Sequence, residues 1–127
     1  MHPALVDFDI HLDIIAMMKI YFYETGAGNS PLKKFIDKLP EKDQARFNEV
    51  FNEIETHGLN ASRLIFKPIE GKLWEIKFKS ESKGYRILYV LVEQDMMIWL
   101  HAFVKKTQKT PINELKVARQ RLKEVLK

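Results

Sequence analysis

The sequence has no cysteine among its 127 residues, and this absence excludes disulfides and thiolate metal sites. It has no apolar run long enough to cross a bilayer. Its first residues lack the basic start and small-residue cleavage site of a secretory signal. We therefore expect a cytoplasmic protein with no membrane partner.

Repeats, low-complexity tracts and signs of a second domain are also missing, so the length predicts one domain around one core. There is no HxxxH or P-loop motif and no Ser/His/Asp array. These absences weigh against a metal-dependent nuclease and a nucleotide hydrolase.

Positive charge is concentrated in the second half of the sequence. The net charge is +4, but residues 1–59 carry −4 and residues 60–127 carry +8. A basic half on an otherwise balanced domain favours a polyanionic partner, most often a nucleic acid. The alternative is a charged surface that serves solubility alone.

The sequence before the first helix contains a conventional strand and an unusual leader. Residues 19–24, K-I-Y-F-Y-E, predict a strand. Residues 1–16 alternate apolar side chains with polar ones, including three aspartates, and predict either an extra edge element or an incidental leader. We therefore divide the chain into an N-terminal extension at residues 1–17 and a domain at residues 18–127.

Two helices joined by a short turn follow the strand. Ser30 and Pro31 form a helix start, because the serine oxygen can cap an unpaired amide and proline suits the first helical position. Apolar residues recur at helical spacing up to Leu39. Pro40 separates this helix from a second one that stops near Gly58. So short a connection predicts an antiparallel helical hairpin.

The second half predicts three strands and a final helix. Residues 59–71 contain proline and glycine and predict a connecting loop. Residues 73–79, residues 85–92 and the run M-M-I-W-L-H-A-F-V are separated by short polar turns, which predicts an antiparallel meander. Residues 111–126 predict a C-terminal helix. The order of elements indicates a small α+β domain with a sheet covered on one face.

The middle strand of the meander carries a charge in an apolar setting. It is apolar on both faces except for Arg86, so it predicts a central strand with an arginine at an unfavourable position. Arg86 therefore needs an anion, which either the chain or a ligand must supply. On the preceding strand, alternation places Glu75, Lys77 and Lys79 on one face and apolar side chains on the other.

Four segments together carry a family resemblance. They are K-I-Y-F-Y-E, S-P-L-K-K-F-I-D-K-L, L-W-E-I-K-F-K with the following G-Y-R, and L-H-A-F-V-K-K-T-Q-K-T-P. Over residues 18–127 the chain resembles the phage-derived, HigB-like branch of the RelE/ParE toxin superfamily. The resemblance implies a RelE-like fold: an N-terminal strand, a helical hairpin, a three-stranded antiparallel meander that completes the sheet, and a C-terminal helix.

The resemblance also implies a function. HigB-like proteins are toxins of type II toxin–antitoxin systems, and as mRNA interferases they cut messenger RNA in the ribosomal A site and inhibit translation. Their reaction needs no metal and no cofactor, because the ribose 2′-hydroxyl attacks the adjacent phosphate. The implied partners are messenger RNA, ribosomal RNA and a cognate HigA-like antitoxin with a helix-turn-helix.

Catalysis of this reaction requires a base, an acid and cations that stabilise the phosphate charge. Arg86, in G-Y-R, matches the family's phosphate-binding arginine, and the alternative is an internal salt bridge to Glu75. Lys77 matches a lysine of the family's sheet, and Lys79 beside it would lower its pKa. Glu75 departs from RelE, which has a basic residue there, and is either the base or an anchor for Arg86.

His101 completes the set of catalytic candidates. An imidazole is a natural acid–base group, and some members of the family use histidines. Strand alternation predicts that His101 shares a face with Trp99 and Phe103, and a packed histidine is the alternative.

Further residues are candidates for RNA binding. They are Lys79, Tyr85, Lys105, Lys106 and Lys109. The lysines suit sequence-independent contacts to phosphates of messenger or ribosomal RNA. Tyr85 either stacks on a base or belongs to the core.

Two other functions are compatible with the same fold. One is a non-enzymatic, ParE-like poison that binds a target such as gyrase. The other is an RNA-binding protein that does not cut. The basic sheet face together with the resemblance favours the endoribonuclease.

Overall fold

The computed structural model describes residues 17–81 and 83–127, which form five strands and three α-helices. The strands are β1 (Lys19–Phe22), β2 (Ile65–Glu70), β3 (Leu73–Ser80), β4 (Lys83–Glu93) and β5 (Met96–Lys105). The helices are α1 (Pro31–Asp37), α2 (Glu41–His57) and α3 (Ile112–Val125), with a 3-10 turn at Gly58–Asn60. Apart from Met17, the predicted N-terminal extension lies outside the described residues.

All five strands belong to one sheet with the order β1-β5-β4-β3-β2. β1 pairs in parallel with β5, whereas the other neighbours are antiparallel. The chain therefore passes from one edge of the sheet to the other through α1 and α2. The predicted α+β class, with a first strand, a helical hairpin, a meander and a last helix, is confirmed.

β2 is an edge strand within the segment that the sequence predicts to be a loop. That expectation is wrong for residues 65–70, because an edge strand needs backbone hydrogen bonds on one side only and so tolerates Pro68. The register shifts between Pro68 and Glu70, as at a bulge. At the start of β2, Ile65 lies opposite Lys77 of β3.

Helices cover both faces of the sheet, so the expectation of a single covered face is also wrong. One core cluster joins the α1–α2 hairpin to the sheet and contains Phe47 and Ile87. A second cluster joins α3 to the sheet and contains Ala118 and Leu88. Ile87 and Leu88 are adjacent on β4 and point to opposite faces. The apolar character of β4 on both faces is the sequence signal for this two-sided packing.

Local signals set the start of α1 and both ends of α2 as predicted, whereas α1 ends at Asp37, two residues before the predicted Leu39. The Ser30 Oγ accepts a hydrogen bond of 3.3 Å from the Lys33 amide, and Pro31 begins α1. α2 begins directly after Pro40 and ends before Gly58, whose φ of 60° lies in the region that favours glycine. Across residues 17–81 and 83–127, no helix has the length and apolarity needed to span a membrane.

Candidate nucleic-acid interface

A basic cleft opens at the end of the sheet where the β3–β4 hairpin meets the end of β5. Its volume is about 780 Å³. Six cationic residues line it: Arg46, Arg63, Lys77, Lys79, Lys105 and Lys106. None of the residues that line it in the described part of the chain is acidic. Such an uncompensated cluster of cations attracts a polyanion.

Lys77, on β3, lines this cleft and is half-buried. Burial is the largest cause that lowers the pKa of Lys77 below its usual value. Nearby Lys67, Arg86 and Lys105 lower this pKa further, whereas Glu75 raises it. The neutral form of Lys77 is therefore more accessible than that of an exposed lysine, and a neutral amine can accept a proton.

The stem of Lys105 lies against the backbone of β4. A Cβ atom added to Gly84 would meet the Lys105 Cβ and Cδ atoms at 3.4 Å. The missing side chain at Gly84 thus leaves room for the lysine at the cleft wall. Lys79 and Lys106 also line the cleft, whereas Lys109 is exposed and is not among the lining residues.

Arg86 is paired with Lys77 in the register of β3 and β4, so both side chains point to the same face. Their exposure differs, however, because the Arg86 side chain is only 1% exposed. Its Nη1 atom lies 3.5 Å from the Oε2 atom of Glu75, which is also buried. The internal salt bridge, one of the two interpretations of Arg86, is present in the structure, and Arg86 does not line the cleft.

The Arg86 guanidinium holds the segment after β5 in place. Its Nη2 group donates hydrogen bonds to the carbonyl oxygens of Thr107 (2.9 Å) and Gln108 (2.5 Å). Its Nη1 group donates to the Thr110 Oγ1 at 3.2 Å, and this hydroxyl donates to Glu75 at 3.0 Å. Because Thr107 and Gln108 line the cleft, the buried pair fixes the position of that wall.

Tyr85 is fully buried, and its ring packs edge-on against Phe47 with the ring centroids 5.1 Å apart. Its hydroxyl donates a hydrogen bond to Asp43, and so does the hydroxyl of Ser80. Burial and the bond to Asp43 raise the pKa of Tyr85. The core interpretation of Tyr85 thus fits the structure better than stacking on a base, because its ring has no exposed surface.

Asp43 links the start of α2 to the β3–β4 hairpin that carries the cleft lysines. The hydrogen bonds from Ser80 and Tyr85, with a smaller effect of Lys83, hold the pKa of Asp43 below its usual value of 3.8. Upon acidification, the unfolded state therefore binds a proton before the folded state does. The stabilisation by Asp43 is complete above its unfolded pKa and is lost as the pH falls through its folded pKa.

We predict that Asp43→Asn weakens this acid sensitivity. Urea unfolding of the wild-type protein should give a free energy of unfolding that falls between about pH 5 and about pH 2. The fall in the free energy of unfolding should be smaller in Asp43→Asn. The matched control is Asp37→Asn, at an exposed position. An equal fall in Asp43→Asn and the wild-type protein would contradict this role.

His101 lies on the α3 face and not in the cleft. Its Nε2 atom is 2.8 Å from a carboxylate oxygen of Glu114, and its ring stacks on Phe103. Burial lowers the pKa of His101, Glu114 raises it, and Arg121 lowers it. His101 therefore ties the sheet to α3.

A register shift in β5 explains why the predicted grouping of His101 with Trp99 is wrong. Leu88 pairs with His101, but the next residue, Tyr89, pairs with Trp99, so Leu100 is the extra residue of a bulge. As a result, Trp99 packs in the cluster of the helical hairpin, on the face opposite His101.

Two arginines of the cleft are absent from the sequence-based candidates. Arg46 comes from α2, and its Nε group donates a hydrogen bond of 2.8 Å to the Lys79 carbonyl oxygen. Arg63 precedes β2 and has a φ of 64°, which is uncommon for a residue other than glycine. No sequence motif marks either residue, because the docking of α2 and the turn before β2 bring them to the lysines.

Comparison with known proteins gives matches over most of the chain. The family described as phage-derived protein Gp49-like matches residues 34–123, which include the whole cleft. A protein named "Probable endoribonuclease HigB1" from Mycobacterium tuberculosis strain H37Rv is 30% identical over 112 residues, covering 87% of each chain. A protein of the same name from M. tuberculosis strain CDC 1551 / Oshkosh matches with the same identity and coverage.

Proposed function

The chain belongs to the phage-derived Gp49-like family, and from this premise we propose that it is a HigB-like endoribonuclease toxin of a type II toxin–antitoxin pair. The observation that carries the proposal is a cleft, within the matched part of the chain, that six cations and no acidic residue of the described ranges line. The endoribonuclease name of the M. tuberculosis relatives supports the same activity.

The proposed reaction is an internal transfer within the RNA chain. The 2′-oxygen forms a bond to the adjacent phosphorus, and the bond from phosphorus to the 5′-oxygen breaks. The products are a 2′,3′-cyclic phosphate and a free 5′-hydroxyl group. The proton of the 2′-hydroxyl passes to a base, and the departing 5′-oxygen takes up a proton. Extra negative charge builds up on the phosphate, and fixed cations stabilise it.

We assign the cleft lysines to these steps. Lys77 takes the proton of the 2′-hydroxyl in its neutral form, which its lowered pKa makes accessible. Lys79, Lys105 and Lys106 hold the phosphate charge. Because cations and base come from the chain, we propose that the reaction needs no metal ion.

The buried Glu75–Arg86 pair has a positioning role in this scheme. It is closed off from the cleft and holds the wall formed by Thr107 and Gln108. His101 serves the attachment of α3 through Glu114, since it lies outside the cleft.

We further propose that the protein acts in the cytoplasm on messenger RNA in the ribosomal A site. Exposed Lys109, in the segment that follows β5, supplies contacts to ribosomal RNA. A HigA-like antitoxin with a helix-turn-helix, encoded next to the toxin, would neutralise it.

Induced expression in a bacterial host tests this function. We expect growth arrest, cuts inside translated reading frames that primer extension detects, and relief of both when the neighbouring antitoxin gene is co-expressed. Growth arrest with a DNA-damage response and no RNA cuts would instead indicate a ParE-like poison. Salt-dependent RNA binding without cuts would indicate a non-cutting RNA-binding protein.

A further inference from the structure

A second wall of the cleft is made by α2, the turn before β2 and the start of β2. In the sheet, Lys105 on β5 and Ile65 on β2 are separated by β4 and β3. Ile65 lies on the same face as Lys77, whereas Arg46, which packs over Phe78, lies on the face covered by the helical hairpin. Three side chains of this wall, Arg46, Arg63 and Ile65, line the cleft.

Arg46 is held in place through only part of its guanidinium group. Its Nε donates to the Lys79 carbonyl oxygen, and its Cζ lies 5.6 Å from the centre of the Phe78 ring. Within residues 17–81 and 83–127, its two terminal nitrogens take part in no hydrogen bond or ion pair. A guanidinium that is fixed at one side and free at the other is preorganised to bind a phosphate.

Arg63 has an unfavourable backbone conformation beside the cleft. Its φ of 64° lies in the left-handed region, which a long side chain rarely adopts. No acidic side chain in the described part of the chain lies within ion-pair distance of Arg63. The strained turn thus places an unpaired cation at the cleft.

Ile65 is an apolar side chain in this otherwise charged surface. It is 58% exposed and lies directly opposite Lys77 in the register of β2 and β3. Paired residues of neighbouring strands point to the same face, so its side chain lies beside that of Lys77. An exposed aliphatic surface beside the proposed base suits the flat face of an unstacked nucleobase.

We propose that Arg46, Arg63 and Ile65 form a nucleotide subsite for single-stranded RNA. The two guanidinium groups bind phosphates that flank the cut, and Ile65 packs against the base next to Lys77. This proposal rests on the proposed endoribonuclease function, because the subsite is the second wall of the cleft in which the RNA would be cut. It assigns RNA-binding contacts to α2, the turn before β2 and the start of that strand.

Binding of an uncuttable RNA tests the two arginines. The probe is a fluorescein-labelled, 2′-O-methyl RNA 12-mer of mixed sequence, measured by fluorescence anisotropy with the full chain at several salt concentrations. We expect Arg46→Gln and Arg63→Asn each to weaken binding about threefold to tenfold, and to reduce the slope of log K against log salt by about 0.7. Arg63→Asn should keep its thermal stability, because asparagine tolerates positive φ.

Matched controls make the result decisive. Arg119→Gln removes the same charge from α3, outside the cleft, and should have a weaker effect on binding and on the slope. If both cleft variants bind the probe with the affinity and slope of Arg119→Gln, the phosphate contacts are wrong.

A second pair of variants tests the base contact. Ile65→Ser should weaken binding about fivefold without a change in the salt slope, because it removes apolar contact and no charge. Ile112→Ser is the matched control, since Ile112 is 68% exposed and lies in α3. Equal affinity of these two variants would overturn the base contact. Since the probe cannot be cut, failure of this subsite and failure of the endoribonuclease activity are separate outcomes.

Discussion

Replacing Arg86 with methionine is expected to lower the free energy of unfolding by about 3–5 kcal/mol. The reason is that Glu75, only 2% exposed, would remain buried without its counter-charge. The Thr107 and Gln108 carbonyl oxygens would also lose their donor, so the cleft wall would lose its anchor. Urea unfolding followed by circular dichroism at pH 7 measures the effect.

Two controls separate the buried pair from an ordinary loss of charge. Lys33→Met breaks the exposed pair with Asp37 and should change the free energy of unfolding by no more than about 1 kcal/mol. The double variant Glu75→Leu/Arg86→Met should be more stable than Arg86→Met, because no unpaired charge stays buried. A cost for Arg86→Met no larger than that for Lys33→Met would contradict the positioning role.

The second large effect is expected at Lys77, on the rate of RNA cleavage. We predict that Lys77→Met lowers the cleavage rate by about 100- to 1,000-fold, because the phosphate loses a preorganised cation and the 2′-hydroxyl loses its base. Stability should not fall, since burial already disfavours the charged form of this lysine in the folded state. Loss of activity without loss of stability is the pattern of a functional residue.

The pH dependence of cleavage provides an independent test of the same residue. Because the base must be neutral, the rate should rise with pH toward the lowered pKa of Lys77, and this rise should be absent in Lys77→Met. Lys116→Met, an exposed position on α3, is the control and should keep the wild-type rate. A Lys77→Met variant with more than about a tenth of the wild-type activity would contradict its assignment.

Much of the fold could be predicted because local patterns agree with the tertiary structure. The serine–proline start of α1, the glycine after α2 and the alternation along β3 each specify one element. The HigB-like resemblance, based on segments spread over the chain, is confirmed by the family match and by the M. tuberculosis relatives. The errors, at β2, at the face covered by α3 and at the bulge in β5, occur where tertiary pairing overrides local signals.

The candidate site could be predicted only in part. Alternation correctly groups Lys77 with Lys79 on one face, and both line the cleft. The sequence also indicates that Arg86 needs an anion, but it cannot decide between a ligand and Glu75. That choice depends on the segment after β5 folding back over the strand, which brings Thr110 between the two charges.

The most direct test of the central claim is the chemistry of the new RNA ends. After induced expression, RNA fragments are ligated to a 5′-adaptor with and without prior phosphorylation by a kinase. The proposed mechanism, in which the 2′-hydroxyl attacks and the cleft lysines assist, predicts 5′-hydroxyl ends that are ligated only after kinase treatment. These ends should be lost in Lys77→Met and should persist in Lys116→Met. Ends that already carry a 5′-phosphate, or cuts of equal frequency in Lys77→Met, would contradict it.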